Sequence, residues 1–119
     1  MNMKPFSKIP VVSILALALA ASVALAGPSE EAVESAKTPA DHEGIAQSYD
    51  AEAKELRAKG ETHRRMARRY SQPSSYKGSH IGGGMESHCK RLASSYDSTA
   101  ESAEALAADH REMAKDAGK

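Results

Sequence analysis

Two stretches of this chain repeat each other at an offset of 47 residues. Ten of the thirty positions from 41 to 70 carry the same residue in the second copy. These positions are Ala46, Ser48, Tyr49, Asp50, Ala53, Ala58, His63, Arg64, Met66 and Ala67. A duplicated segment of this length predicts that the two copies form the same structural element and pack together.

Each copy also carries a seven-residue pattern. In the first copy the stripe comprises His42, Tyr49, Leu56, His63 and Tyr70. The second stripe begins at Cys89, and a small residue follows most stripe positions four residues later. A strict heptad predicts two helices in a left-handed supercoil, and small residues at every seventh position predict a close, alanine-rich seam.

The first helix has a clear start signal. Thr38 is suited to cap the helix, Pro39 to occupy its first turn, and Asp41 to complete a capping box. No proline follows until Pro73, so the first helix is predicted over residues 39–70.

Residues 71–84 are rich in glycine and serine and predict a loop. The second helix is predicted over residues 85–116, ending before Gly118. A loop of about 13 residues favours antiparallel packing of the helices. The predicted fold class is therefore all-α, an antiparallel two-helix hairpin closed by an alanine-rich heptad seam.

The N-terminal 26 residues have the pattern of a secretory signal peptide. Lys4 and Lys8 precede an apolar run over residues 11–25, which ends in an A-x-A sequence at Ala26. Cleavage there leaves 93 of the 119 residues, beginning with an acidic tail over residues 27–38. We expect a periplasmic or secreted protein that has no stable membrane insertion after the signal is removed.

Charge and apolar content narrow the expected partners. The mature chain carries 14 basic against 16 acidic residues, which argues against nucleic acid as a partner. It has no Trp or Phe and few large aliphatic residues, so a single hairpin should be marginally stable. We therefore expect a bound metal ion, or a homodimer in which two hairpins form a four-helix bundle, and allow for a partner protein of the cell envelope.

The duplicated stripe predicts a register. His63 follows His42 by 21 residues, and His110 follows Cys89 by the same number. If the numbers of facing residues sum to 152, His42 faces His110 at one end of the hairpin and His63 faces Cys89 at the other. One end then holds His63, Met66 and Cys89, with Met85 and His88 on the neighbouring turn. The other end, about 30 Å away, holds His42, His110 and Met113.

Thioether, thiolate and imidazole groups together favour a soft metal. Cu(I) is the ion that this donor set predicts, and zinc is a second option because histidine and cysteine bind it well. Each histidine or methionine taken alone is typical of a helix surface or core, so the interpretation depends on the His-x-x-Met spacing occurring twice. Non-covalent haem is a minor option.

Other features have competing interpretations. Cys89 is the only cysteine, and it fits a metal ligand, an intermolecular disulfide or an inert buried thiol. The basic patch at residues 64–69 fits either complementation of the helix dipole or docking to an acidic partner or lipid headgroups. No nucleophile, base and oxyanion-hole motif occur together, so we expect no enzyme activity.

The sequence thus predicts an exported soft-metal-binding protein, with copper as the ion, that acts as a buffer, carrier or sensor partner. The alternative is a helical interaction or scaffold protein of the cell envelope that binds no metal and oligomerises through its alanine seam.

Overall fold

A computed structural model describes residues 27–72 and 81–119 of the chain. This part contains three helices and no strand: α1 (Glu30–Ser35), α2 (Pro39–Tyr70) and α3 (Ile81–Ala117). The long helices α2 and α3 pack along each other, so the predicted helical hairpin is confirmed. The predicted signal peptide and residues 73–80 of the predicted loop lie outside the described residues.

Local hydrogen bonds explain where α1 and α2 begin. The Ser29 hydroxyl accepts the amide of Ala32 at 3.2 Å and caps α1, which lies within the predicted acidic tail. Thr38 Oγ1 accepts the amide of Asp41, and the Asp41 carboxylate accepts the amide of Thr38 at 2.9 Å. This reciprocal capping box satisfies amides that have no partner inside the helix.

The predicted start of the second helix is wrong by four residues. We expected a loop through Gly84 and a helix over 85–116, whereas α3 begins at Ile81 and ends at Ala117. Glycine weakens a helix by about 1 kcal/mol relative to alanine, but it keeps its amide donor and does not clash as proline does. The glycine run at 82–84 is therefore compatible with a helix, and its composition alone misled the prediction.

The seam between α2 and α3 is lined by small side chains. The buried apolar residues are Ile45, Ala46, Ala53, Ala67, Cys89, Ala93, Ala100, Ala103 and Ala107. Tyr49 and Leu56 are partly buried and pack against the alanines at the centre. Such a seam brings the two backbones close together, so residues on opposite helices meet with little intervening side chain.

A row of ion pairs runs along one side of this seam and is called here the ion-pair ladder. Its members are Asp50–Arg111, Arg57–Glu104 and Arg64–Asp97, with nitrogen–oxygen distances of 2.6, 2.8 and 2.5 Å. Successive rungs are seven residues apart on both helices. The two outer rungs are equivalent under the 47-residue repeat, so the duplication in the sequence is also a duplication of contacts.

Candidate metal centre

Two imidazole rings meet across the seam at the end of the hairpin away from the loop. Nδ1 of His42 lies 3.1 Å from Nδ1 of His110, and the ring centroids are 5.4 Å apart. His110 is buried, with 7% of its surface exposed, and His42 is partly buried. The residue numbers of this pair sum to 152, the register that the duplicated stripe predicts.

The spacing of the two nitrogens restricts their protonation. A neutral imidazole carries its proton on one nitrogen only, so one Nδ1 must donate while the other accepts. Two protonated Nδ1 atoms at this distance have no acceptor between them. A metal ion bound by both Nδ1 atoms requires both to be unprotonated, so it would replace this hydrogen bond, and the shared proton would move to Nε2 of one ring.

A histidine–tyrosine ring contact is repeated in the two halves. The His110 ring lies 5.9 Å from that of Tyr49, and the His63 ring stacks on Tyr96 with centroids 5.5 Å apart. These two pairs are equivalent under the repeat. Both tyrosines are partly buried. Each half therefore places a tyrosine ring against its seam histidine, stacked in the half with His63 and tilted in the half with His110.

The repeat counterpart of the His42–His110 pair is Cys89 with His63. Cys89 is buried, with 4% of its surface exposed, and carries a free thiol. Nδ1 of His63 is enclosed and has no hydrogen-bond partner among the described residues. A buried donor or acceptor left unpaired costs about 1–3 kcal/mol, so this nitrogen is a candidate for an additional ligand.

The other four predicted ligands lie away from the seam interior. Met66, Met85 and Met113 are 43%, 38% and 47% exposed, and His88 is exposed. Each methionine follows a seam position by three residues or precedes one by four, so it lies on the flank of its helix. Their role as ligands therefore stays a prediction.

Carboxylates contribute little to either pair. The Asp41 side chain accepts the amides of Lys37 and Thr38, and these backbone hydrogen bonds hold its pKa below the usual value. It is thus committed to the capping box. Across residues 27–72 and 84–119, no three His, Cys, Asp or Glu side chains form a group that could hold a metal ion. Methionine, water or a second chain would have to complete the coordination of either pair.

The basic patch is partly neutralised by one carboxylate. Glu61 accepts hydrogen bonds from Arg64 at 2.9 Å and from Arg68 at 3.2 Å, and these two guanidinium groups lower its pKa. Arg64 also reaches Asp97 in the ion-pair ladder. Arg65 donates to Thr62. The patch therefore combines interhelical bonding with exposed positive charge near the loop end.

Sequence reasoning found the histidine pair but missed the ladder and the stacking. The signals were available, because Asp50, Arg57 and Arg64 recur every seven residues and both tyrosines recur in the repeat. In the part of the chain that the structure describes, no helix has the length and apolar content needed to cross a membrane. Comparison with protein-family models, curated proteins and solved structures finds no match to this chain.

Proposed function

We propose that this protein is an exported copper-binding protein that acts as a buffer, carrier or sensor partner in the cell envelope. The observation that supports the proposal best is the pair of Nδ1 atoms of His42 and His110, 3.1 Å apart across the seam. The predicted signal peptide supports a periplasmic or secreted location.

The distance between these nitrogens suits two ligands of one metal ion. Imidazole nitrogen lies about 2.0–2.1 Å from a zinc ion, so two ligands of zinc at a tetrahedral angle are about 3.4 Å apart and two at a right angle about 2.9 Å apart. The observed 3.1 Å falls between these limits. Binding at His42 and His110 thus requires little movement of either helix, which keeps the ordering cost low.

The second proposed site uses Cys89 and His63 as its primary ligands. A thiolate with an imidazole favours Cu(I), and the neighbouring Met66 offers a soft thioether after a rotamer change. Met85 and His88 stand on the adjacent turn as further candidates. At the other end, Met113 plays the part of Met66 beside His42 and His110. The bis-histidine pair is also suited to zinc or Cu(II).

Pairing of two hairpins into a four-helix bundle is part of the same proposal. The small seam leaves no large side chain fully buried among the described residues. A metal ion at either end, or a second copy against the flank, would provide additional stability to the folded hairpin.

Copper retention tests the proposal directly. The full reading frame is expressed so that the host processes it, and the purified product is titrated anaerobically with Cu(I) against a competing chelator. We expect one to two retained ions per chain. Removing a ligand should weaken its site by more than the tenfold to hundredfold that loss of a supporting residue causes. Cys89→Ser should therefore remove the ion at the Cys89–His63 site, and His110→Ala the ion at the His42–His110 site.

His88→Ala is the comparison variant, because this histidine is exposed and lies outside the seam. It should reduce retention less than either seam variant. Equal losses from His88→Ala and His110→Ala, or full retention in Cys89→Ser and His110→Ala together, would contradict the proposal.

The alternative function is that of a scaffold without metal. The exposed apolar side chains on the flank of α3 support it, since they offer a surface for another protein. A scaffold of this kind predicts unchanged oligomerisation and partner binding after copper is removed, together with weak copper retention.

A further inference from the structure

A row of larger apolar side chains runs along the outside of α3 and is called here the flank stripe. It consists of Met85, Leu92, Thr99, Leu106 and Met113, each seven residues after the last. Successive residues of an α-helix are about 100° apart. On each helix, the residues of the ion-pair ladder come one position after a residue of the heptad row that contains the seam histidines. The residues of the flank stripe come three positions after that row. The ladder and the flank stripe therefore lie on opposite sides of the seam.

The flank stripe is the apolar surface that the hairpin leaves uncovered. Met85, Leu106 and Met113 are 38%, 43% and 47% exposed, and Leu92 is partly buried. Met66, at the equivalent heptad position of α2, is 43% exposed. Thr99 donates its hydroxyl to the Ser95 carbonyl of its own helix, so only its methyl group needs a partner.

The order of residues in the flank stripe is a palindrome: methionine, leucine, threonine, leucine, methionine. An interface related by a twofold axis must be complementary to itself. If two α3 helices pack antiparallel, Met85 faces the other copy's methionine at position 113, and Leu92 faces its leucine at position 106. Thr99 then lies on the axis. We propose that a second copy of this chain covers the flank stripe in this antiparallel register.

The distribution of charge favours the same arrangement. The loop end of α2 carries exposed Arg65, Arg68 and Arg69, whereas α1, at the other end of the hairpin, carries Glu30, Glu31 and Glu34. Antiparallel copies place the basic end of each hairpin beside the acidic end of the other. In this register the exposed His88 stands next to the other copy's carboxylate at position 109, twice in each dimer. Parallel copies would place like charges together.

The surface is large enough for a stable contact. The flank stripe spans 28 residues, about 42 Å at 1.5 Å per residue. Over a hairpin roughly 20 Å wide this gives about 800 Å² per copy, the size of a standard specific interface. This interface extends the pairing of hairpins proposed above. It shares Met85 and Met113 with the candidate outer ligands of the metal sites, whereas the primary ligands His42, His110, His63 and Cys89 belong to the seam and Leu106 belongs to neither site.

Substitutions on and off the stripe test the surface. In sedimentation of the processed full-length product, the unaltered chain should dimerise, Leu106→Gln should weaken the dimer at least tenfold, and Ala108→Gln should not. Ala108 is exposed on the same helix but lies away from the flank stripe. Circular dichroism of each variant checks that the helices persist. The proposal would be overturned if the unaltered chain stays monomeric and instead binds anionic lipid vesicles. Equal effects of Leu106→Gln and Ala108→Gln on dimerisation would overturn it as well.

Disulfide trapping tests the register. In a Cys89→Ser background, Thr99→Cys should cross-link to itself, and Glu101→Cys, pointing away from the stripe, should not. Met85→Cys should cross-link when mixed with Met113→Cys but not with itself. Efficient self-cross-linking of Met85→Cys would establish a parallel dimer and overturn the antiparallel assignment.

Discussion

Oδ1 of Asp97 occupies the space beside Gly60 that any larger residue would need. A Cβ atom on Gly60 would lie 2.9 Å from this oxygen and 3.3 Å from the carbonyl oxygen of Ala93. The same carboxylate accepts the Arg64 guanidinium. Close approach of the helices and one rung of the ion-pair ladder therefore both depend on the absence of a side chain at Gly60.

Replacing this glycine should be unfavourable compared with replacing another in the same helix. Gly44→Ala has open space around its new methyl group and should stabilise the hairpin by about 0.5–1 kcal/mol through helix propensity. Gly60→Ala gains the same propensity but must displace Asp97 and the α3 backbone, at a cost of about 1–3 kcal/mol. Urea unfolding should thus place Gly60→Ala below Gly44→Ala. Equal stabilisation by both would show that the seam is looser than described.

Charge exchange tests the central rung of the ladder. Arg57→Glu alone places two carboxylates together and should lower the melting temperature, and adding Glu104→Arg should restore it. Both side chains are nearly half exposed, so the coupling should be small and should shrink in high salt. Additive effects of the two substitutions in low salt would mean that the rung contributes nothing.

The capping box should make stability depend on acid pH. The folded-state pKa of Asp41 lies below its ordinary value of 3.8, because the carboxylate accepts the Lys37 and Thr38 amides. Its contribution is complete above the ordinary pKa and is lost as the pH falls through the lower folded-state value. Asp41→Asn should therefore be less stable at neutral pH, and its stability should fall less on acidification. Urea unfolding at a series of pH values measures both effects.

Thr38→Ala is the matched control for this experiment. It removes the hydroxyl cap at a cost of about 1 kcal/mol but leaves both backbone donors on Asp41. Most of the dependence of stability on acid pH should therefore remain in Thr38→Ala. If Asp41→Asn and Thr38→Ala show the same acid slope, the carboxylate is not the titrating group.

Ile45 should be the most sensitive apolar position. It is 4% exposed and is larger than the alanines that make up most of the buried seam. Ile45→Ala should cost about 2–4 kcal/mol, whereas Leu92→Ala, at the equivalent but partly buried position of the repeat, should cost less. Unfolding measured in dilute protein, where dimerisation is weak, compares the two. If Leu92→Ala lowered the free energy of unfolding more than Ile45→Ala, Leu92 on α3 would be the more important apolar contact.

Copper should stabilise the hairpin only when the seam ligands are present. An ion that binds the folded chain at a hundred times its dissociation constant contributes about 2.7 kcal/mol. The melting temperature should therefore rise with added copper, and the rise should be smaller in His42→Ala. Tyr76→Phe, in the predicted loop, is the control. An equal rise in all three proteins would indicate binding outside the seam.

The sequence could predict the hairpin and the histidine pair because both follow from periodicity. The repeat set the register that places His42 against His110, and Thr38 with Asp41 marked the start of α2. The exposure of Met66 and Met113 could also have been read from this periodicity, because both follow a seam histidine by three residues and so lie on the flank of their helices.

Composition was a poor guide at the start of α3 because glycine lowers helix stability without preventing the helix. The ion-pair ladder was also missed, although its spacing is visible, because side chains beside a seam pair diagonally rather than in the register of the seam itself. Arg57 and Glu104 sum to 161, whereas the seam histidines sum to 152. The diagonal offset is a property of packed helices that a one-dimensional pattern does not contain.

The two outer rungs of the ion-pair ladder and the two histidine–tyrosine contacts are each equivalent under the repeat, so the two helices of the hairpin make the same contacts with each other. This internal symmetry is broken where equivalent positions carry different chemistry, as at His42 and Cys89, Arg57 and Glu104, and Gly60 and Ala107. A substitution at any of these positions therefore has no equivalent in the other half.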